Sequence, residues 1–490
     1  MHATTLFAVL GLCAASLVNA IPVSHPFSHN AFAKRGGNAK AVFAHFMMGN
    51  AFPYTQQDFE DDVKLASASG IDAFALNIGT DSWQPDHVKM AYDAAAASGT
   101  GFKMFISFDM TVLPCGSPAD AATLRNYVTQ YVDHPAQFKY DGRAFASTFS
   151  GEKCSFGQGS PQDGWKSQFY SQLNGQTFFV PALFADPGSF SSWGGAMDGA
   201  FTWNAAWPIS LTSSKVASIL GSSGLGLGPL LGGALDTATK ALAKFVGSND
   251  QDDAAIGGLN GLTTSGAKAY MTSVSPWFYT HYGADSFNKN FVYYSDNHLY
   301  NSRWESIIQN RDKFDLVEIL TWNDYGESHY IAPVKGAQPN SQAWVDGNPH
   351  DGWLDMTSYY ATAFKTGKFP AITQDALYVW ARPTATDANS GDPIGKPTNS
   401  DTMTDAMWAV VFSTAPGIVT LSSGNGASQD FQVQAGVSKL SLPLTPGSTL
   451  HATLKRNGQP VVDLQPKGFT LQNDPSIFDY NAFVAFAKAS

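Results

Sequence analysis

Asp324 and Glu327 fall within Thr321-Trp322-Asn323-Asp324-Tyr325-Gly326-Glu327-Ser328-His329-Tyr330, where two carboxylates share a short stretch with a histidine, an asparagine and several aromatic rings. A carboxylic acid that protonates a leaving oxygen, beside a carboxylate that serves as nucleophile or as base for water, is the machinery of glycosidic bond cleavage. Flat rings with a polar edge suit the faces of sugars. A turn through Asp-Tyr-Gly-Glu, with Gly326 at its third position, brings the two backbones within about 7 Å; an extended chain lets them part to about 10 Å. Carboxyl separations of about 5–5.5 Å (retaining) and about 6.5–9.5 Å (inverting) are both within reach, so spacing leaves the stereochemistry open. Further carboxylates expected at strand tips are Asp109, Glu152 and Asp186. The competing assignment is structural: Asp324 as a helix cap and Glu327 as half of a surface ion pair.

The elements that must hold these residues alternate. Phe314 to Leu320 is apolar and bounded by Asn310-Arg311-Asp312-Lys313, which predicts a buried strand ending at the acidic motif. Before it, strands are predicted over 41–47, 71–78, 101–110, 144–150, 177–185, 199–207 and 267–277. Helices are predicted over 55–69, 85–98, 118–131 and 300–311, and a last one follows over 351–365. Strand and helix in turn imply a parallel sheet, and eight strands imply a (β/α)8 TIM-like barrel with its chemistry at the strand tips. An open doubly wound sheet would call for a glycine-rich phosphate turn after an early strand, and none is present. A long Gly-, Ser-, Leu- and Ala-rich insertion spans 212–264, with a possible amphipathic helix over Leu230 to Phe245, and is expected to be a lid, a cleft wall or a spacer. From about Ala376 short strands follow one another, and Asn457-Gly458 marks a hairpin. A C-terminal antiparallel β-sandwich is expected over 373–490, after a catalytic domain over 36–372.

Composition narrows the partners. A chain of 490 residues is long for one core. Its formal charge of −11 disfavours nucleic acid or an anionic membrane surface. The apolar run Leu6 to Val18 is too short to span a bilayer and precedes small residues at Val18-Asn19-Ala20, so 1–20 reads as a signal peptide. Lys34-Arg35 before Gly36 suggests a propeptide over 21–35, and a secreted protein of the extracellular space or cell wall. Cys13 would leave with the signal; Cys115 and Cys154 are then expected to form a disulfide between the loops after successive strands. A monomer is expected.

Four stretches carry a family resemblance: Ala44 to Asn50, Phe105 to Asp109, Ser273 to Tyr279 and Thr321 to Tyr330. They resemble the fungal α-1,3-glucanases called mutanases, glycoside hydrolase family 71. The resemblance implies a secreted, endo-acting, inverting hydrolase of α-1,3-glucan that needs no metal or other cofactor. It places the essential acids on Asp324, Glu327 and Asp109. With Glu327 as general acid and Asp324 as general base, the expected sugar-binding residues are His45, Asn77, Trp203, Asn204, Trp277, Tyr279, Trp322 and His329.

Overall fold

The computed structural model describes residues 40–207, 213–222, 241–242, 245–264 and 266–490. The segments expected as signal peptide and propeptide lie outside these residues, as does most of the helix expected over Leu230 to Phe245. The first half of the chain builds β1 (Ala41–Met47), β2 (Ala73–Ile78), β3 (Lys103–Asp109), the short β4 (Lys139–Tyr140), β5 (Arg143–Phe149), β6 (Thr177–Phe179), β7 (Gly199–Phe201) and β8 (Ala269–Val274). A hairpin of β9 (Tyr279–His281) and β10 (Asn290–Val292) follows, then β11 (Leu316–Ile319).

These strands form a curled parallel sheet in the order β6-β5-β3-β2-β1-β11-β8-β7, with β4 antiparallel to β5 at its margin. The outermost strands also meet, through Asp198 N–H donating to Phe179 O (2.8 Å) and Phe201 N–H donating to Pro181 O (3.0 Å). The two-residue period of a strand sorts its side chains onto two faces. Phe43, Ala73, Ala75, Phe105, Phe145, Phe178, Met271 and Leu316 share one apolar cluster. Their sequence neighbours Val42, Ala44, Phe74, Met104, Ile106 and Val317 belong to another, with residues of the flanking helices. Continuing the first face toward the strand ends replaces Phe, Ala and Leu by His45, Asn77, Ser107, Asp109, Ser147, Ser273 and Glu318. The apolar interior thus ends in a polar layer at the C-terminal edge of the sheet.

The helices begin where their caps dictate. Thr55 and Ser117 each form a reciprocal capping box, with Asp58 and Asp120, and so fix the starts of Gln56–Ala68 and Pro118–Tyr131. Cys115 and Cys154 are disulfide-bonded and join the loop after β3 to the loop after β5.

From Ala376 the chain is antiparallel: β12 (Ala376–Ala381), β13 (Ala406–Ser413), β14 (Gly417–Ser422), β15 (Ser428–Val433), β16 (Gly436–Pro443), β17 (His451–Arg456), β18 (Gln459–Leu464) and β19 (Phe483–Lys488). They form two four-stranded sheets, β16-β13-β12-β19 and β15-β14-β17-β18. Asn457 and Gly458 turn the β17–β18 hairpin with φ of 50° and 77°, as the Asn-Gly pair predicts. A buried polar seam joins these sheets to the parallel unit. In it His298 Nε2 lies 3.1 and 3.0 Å from the carbonyls of Ala409 and Leu440. Arg382 pairs with Asp296 at 2.6 Å and covers the Trp277 ring at 4.4 Å.

Candidate active site

The segment after β11 is pinned from both sides before its side chains are considered. Leu320 N–H donates to Val274 O (2.8 Å) and Trp322 N–H to His45 O (2.7 Å), so the chain leaves the sheet in register with its neighbours. Asn323 accepts from Met47 N–H through Oδ1 at 2.7 Å, and Asn50 Nδ2 donates to its carbonyl at 2.8 Å. Asp324 N–H is held by Thr321 Oγ1 (2.9 Å). The chain then makes one tight turn, Tyr325–Glu327, and folds back so that Thr321 N–H donates to His329 O (2.7 Å). Gly326 is required here for space rather than for its backbone angle: a Cβ at this point would strike the Tyr282 hydroxyl.

This fold-back gathers Asp324, Glu327 and His329. His329 Nε2 stands 3.3 Å from Asp324 Oδ2 and 3.4 Å from Glu327 Oε2. The imidazole is fully buried, whereas the two carboxylates are 19% and 20% exposed and so face outward from it. Neither His329 nitrogen has an aligned hydrogen-bond partner among the described residues, so these are close contacts rather than well-directed hydrogen bonds. Lys289, from the β9–β10 hairpin, donates to Glu327 Oε1 at 2.9 Å. Burial alone would raise the Asp324 carboxyl; contact with His329, with Lys289 and His45 behind it, outweighs burial and holds it below its ordinary range. Glu327 raises the Lys289 ammonium against the opposing effect of burial, and Asp324 and Asp109 add to it. Asp109, at the end of β3, therefore acts on the same cation.

The residues expected around the acids divide. His45 lies 4.8 Å from Trp203, edge to face, and its charge reaches Asp324. Trp203 and Asn204 line a cavity of about 340 Å³ together with Phe184, Phe190, Gln251 and Ala255. Asn77 is buried in the polar layer at the end of β2. Three aromatics are placed elsewhere. Trp277 is buried and donates from Nε1 to Tyr480 O (3.0 Å), and the Tyr279 hydroxyl donates to Phe478 O, so both serve the seam with the C-terminal sheets. Trp322 is buried against Phe74 and donates to Asp62 Oδ2 (3.0 Å) on the helix Gln56–Ala68. In each, the indole or phenol hydrogen is already donated to a partner within the protein. Of the other tip carboxylates, Asp186 caps the turn Pro187–Trp193, and Glu152 is held by Ser150 Oγ (3.0 Å).

Two residues of the site were missed by sequence reasoning. Lys289 lies 38 positions before Glu327, and no local pattern connects them. Glu318 was visible as a lone charge within Leu316-Val317-Glu318-Ile319-Leu320; it is fully buried, with Oε1 2.7 Å from His45 Nδ1. One ligand atom from each of Asp324, Glu327 and His329 falls within 4.8 Å of the others, close enough to clasp a cation. Lys289 supplies one positive charge to that same cluster through Glu327.

The profile described as glycosyl hydrolase family 71 matches residues 38–490. The chain is 35% identical over 450 residues to a glucan endo-1,3-alpha-glucosidase of Schizosaccharomyces pombe, an alignment covering 91% of this chain and 94% of that one. It is 32% identical over 454 residues to a mutanase of Penicillium rubens, covering 92% and 89%. With an ascus wall endo-1,3-alpha-glucanase of S. pombe it shares 30% identity over 431 residues, covering 85% and 88%. The chain is a glycoside hydrolase and belongs to glycosyl hydrolase family 71.

Proposed function

We propose that the protein cleaves α-1,3-glucosidic linkages inside α-1,3-glucan chains, with Glu327 as general acid and Asp324 as its ionised partner. One observation carries the reading: Asp324 and Glu327 meet over His329 at a half-open strand end, with Asp324 held in its charged form. The names of the aligned relatives support the α-1,3 linkage. Trp203, Asn204 and the exposed Phe184 would bind glucose rings in the cavity they line, which meets the site through Trp203 against His45. The curled sheet is proposed to close as a (β/α)8 barrel, a reading supported by the two hydrogen bonds between β6 and β7. The domain boundary near residue 372, a sandwich arrangement of the C-terminal sheets, secretion after removal of residues 1–35, and action as a monomer complete the proposal.

Inversion at the anomeric carbon is part of it, and one distance favours a second reading. Reactive atoms of Asp324 and Glu327 lie within 4.8 Å, nearer to the roughly 5–5.5 Å of retaining pairs than to the roughly 6.5–9.5 Å of inverting ones. An inverting reaction would then draw its water-activating carboxylate from farther off, and Asp109 is the candidate. Proton NMR of fresh product from α-1,3-glucan decides: β-anomer first supports inversion, α-anomer first supports retention by the close pair. Release of sugar from starch but not from α-1,3-glucan would overturn the linkage.

A further inference from the structure

Glu318 sits on β11, the strand that delivers the acid cluster, and none of it reaches solvent. Its Oε1 lies 2.7 Å from His45 Nδ1, while Oε2 has no partner among the described residues. A buried acceptor left unsatisfied costs about 1–3 kcal/mol, and more when charged. An apolar residue would therefore be the stable choice in this otherwise apolar strand, and stability does not account for Glu318. What it touches does. The His45 ring stands edge-on to Trp203, its charge reaches Asp324, and its backbone carbonyl anchors Trp322, two residues before Asp324.

We infer that Glu318 is a positioning residue for hydrolysis: it accepts the Nδ1 proton of His45 and sets the tautomer and plane of that ring. A carboxylate behind a histidine fixes which nitrogen carries the proton and favours the charged ring. Nε2–H is left as a donor on the ring's other edge. Asp324 also faces His329 and Lys289, and Lys289 faces Glu327 and Asp109, so positive charge on the His45 ring would add to theirs in lowering Asp324. Burial raises the Glu318 carboxyl, and the bond to His45 only partly opposes it.

The test compares Glu318→Gln, His45→Gln and the double variant by kcat/KM against pH, on any soluble α-glucan oligosaccharide the wild type cleaves, with melting temperature alongside. Loss of one nearby cation is expected to move the acid limb of Glu318→Gln upward by about 0.5–1 pH unit, a loss of roughly 3- to 10-fold on that limb. His45→Gln should show the same shift, and the double variant no further one. An unmoved acid limb in Glu318→Gln, or a full second shift when it is added to His45→Gln, would overturn the assignment. If Glu318→Gln does not fold, nitrogen-15 NMR of histidine-labelled wild type gives the answer, with the His45 signal identified by its loss in His45→Gln. A proton on Nδ1 supports the assignment and a bare Nδ1 defeats it. The inference rests on the proposed function only for the substrate: a protein that cleaves no α-glucan would end that proposal and leave the NMR result standing.

Discussion

Two clusters in this molecule use the same residue types to opposite ends. The cleft gathers Asp324, Glu327, His329 and Lys289. The seam with the C-terminal sheets gathers His281, His298, Asp392, Arg382, Asp296, Trp277 and Tyr279. In the seam, His281 Nε2 meets Asp392 at 2.6 Å and its Nδ1 meets Asn290 at 2.8 Å, and Asp392 also accepts from Phe478 N–H at 3.0 Å. In the cleft, neither nitrogen of His329 has an aligned partner and Glu318 keeps one oxygen bare. Buried polar groups are normally satisfied, and those that are not call for a reason. The seam directs most of its hydrogen-bonding capacity to the protein, although Arg382 Nε has no partner among the described residues, whereas the acid cluster leaves both His329 nitrogens without an aligned one.

The sharpest break of that contrast is to neutralise each cluster in turn. Asp324→Asn and Glu327→Gln keep shape and remove charge. Each is expected to lower the rate of sugar release by about 10²–10⁴-fold, the range for losing a positioned acid or base, with little change in melting temperature. Activity within tenfold of wild type in either variant would show that the acids are as structural as the seam. Trp277→Ala should do the reverse. It removes a fully buried ring and leaves the Tyr480 carbonyl without its donor, at an expected cost of roughly 3–5 kcal/mol in stability. Activity per folded molecule should be retained, measured at a temperature where the variant is still native. A variant that melts like wild type and loses activity would return Trp277 to the cleft.

The contrast also shows what the sequence could carry. The periodic elements were legible because local physics sets them: Pro118–Tyr131 begins and ends where the Ser117 cap and its apolar spacing place it. The acid motif was legible because its chemistry is concentrated in a few consecutive residues. Trp277, Tyr279 and Trp322 were assigned to sugar binding because an aromatic reads the same in a cleft and in a seam. Their destinations depend on Tyr480, Phe478 and Asp62, which lie 203, 199 and 260 positions away. β6 and β7 were drawn too long, since a buried apolar run continues past the point where strand pairing ends. β19 was not foreseen, and Lys289 could not be tied to Glu327 before the β9–β10 hairpin was known.

The finest test asks whether His298 sits in the seam as a neutral ring between two carbonyls, and pH answers it. Burial, reinforced by Lys439, holds the His298 imidazole down at about 3 against the help of two carbonyls, from an ordinary value of 6.5. Between those values the unfolded chain binds a proton that the folded protein refuses. Stability owed to neutral His298 is therefore complete above about pH 6.5 and drains away on acidification toward pH 3, by about 1 kcal/mol per pH unit. Asp479 and Asp405 run the other way: burial raises them to about 7 and about 6, so their contribution is present in acid and lost as pH rises through those values. The whole stability curve mixes these effects, but the difference between wild type and His298→Gln isolates one. Urea melts at pH 7, 6 and 5 should show the wild-type advantage shrinking as pH falls below 6.5. Parallel curves would mean that His298 takes up its proton in the folded protein as it does in the unfolded chain, and that burial in the seam does not exclude it.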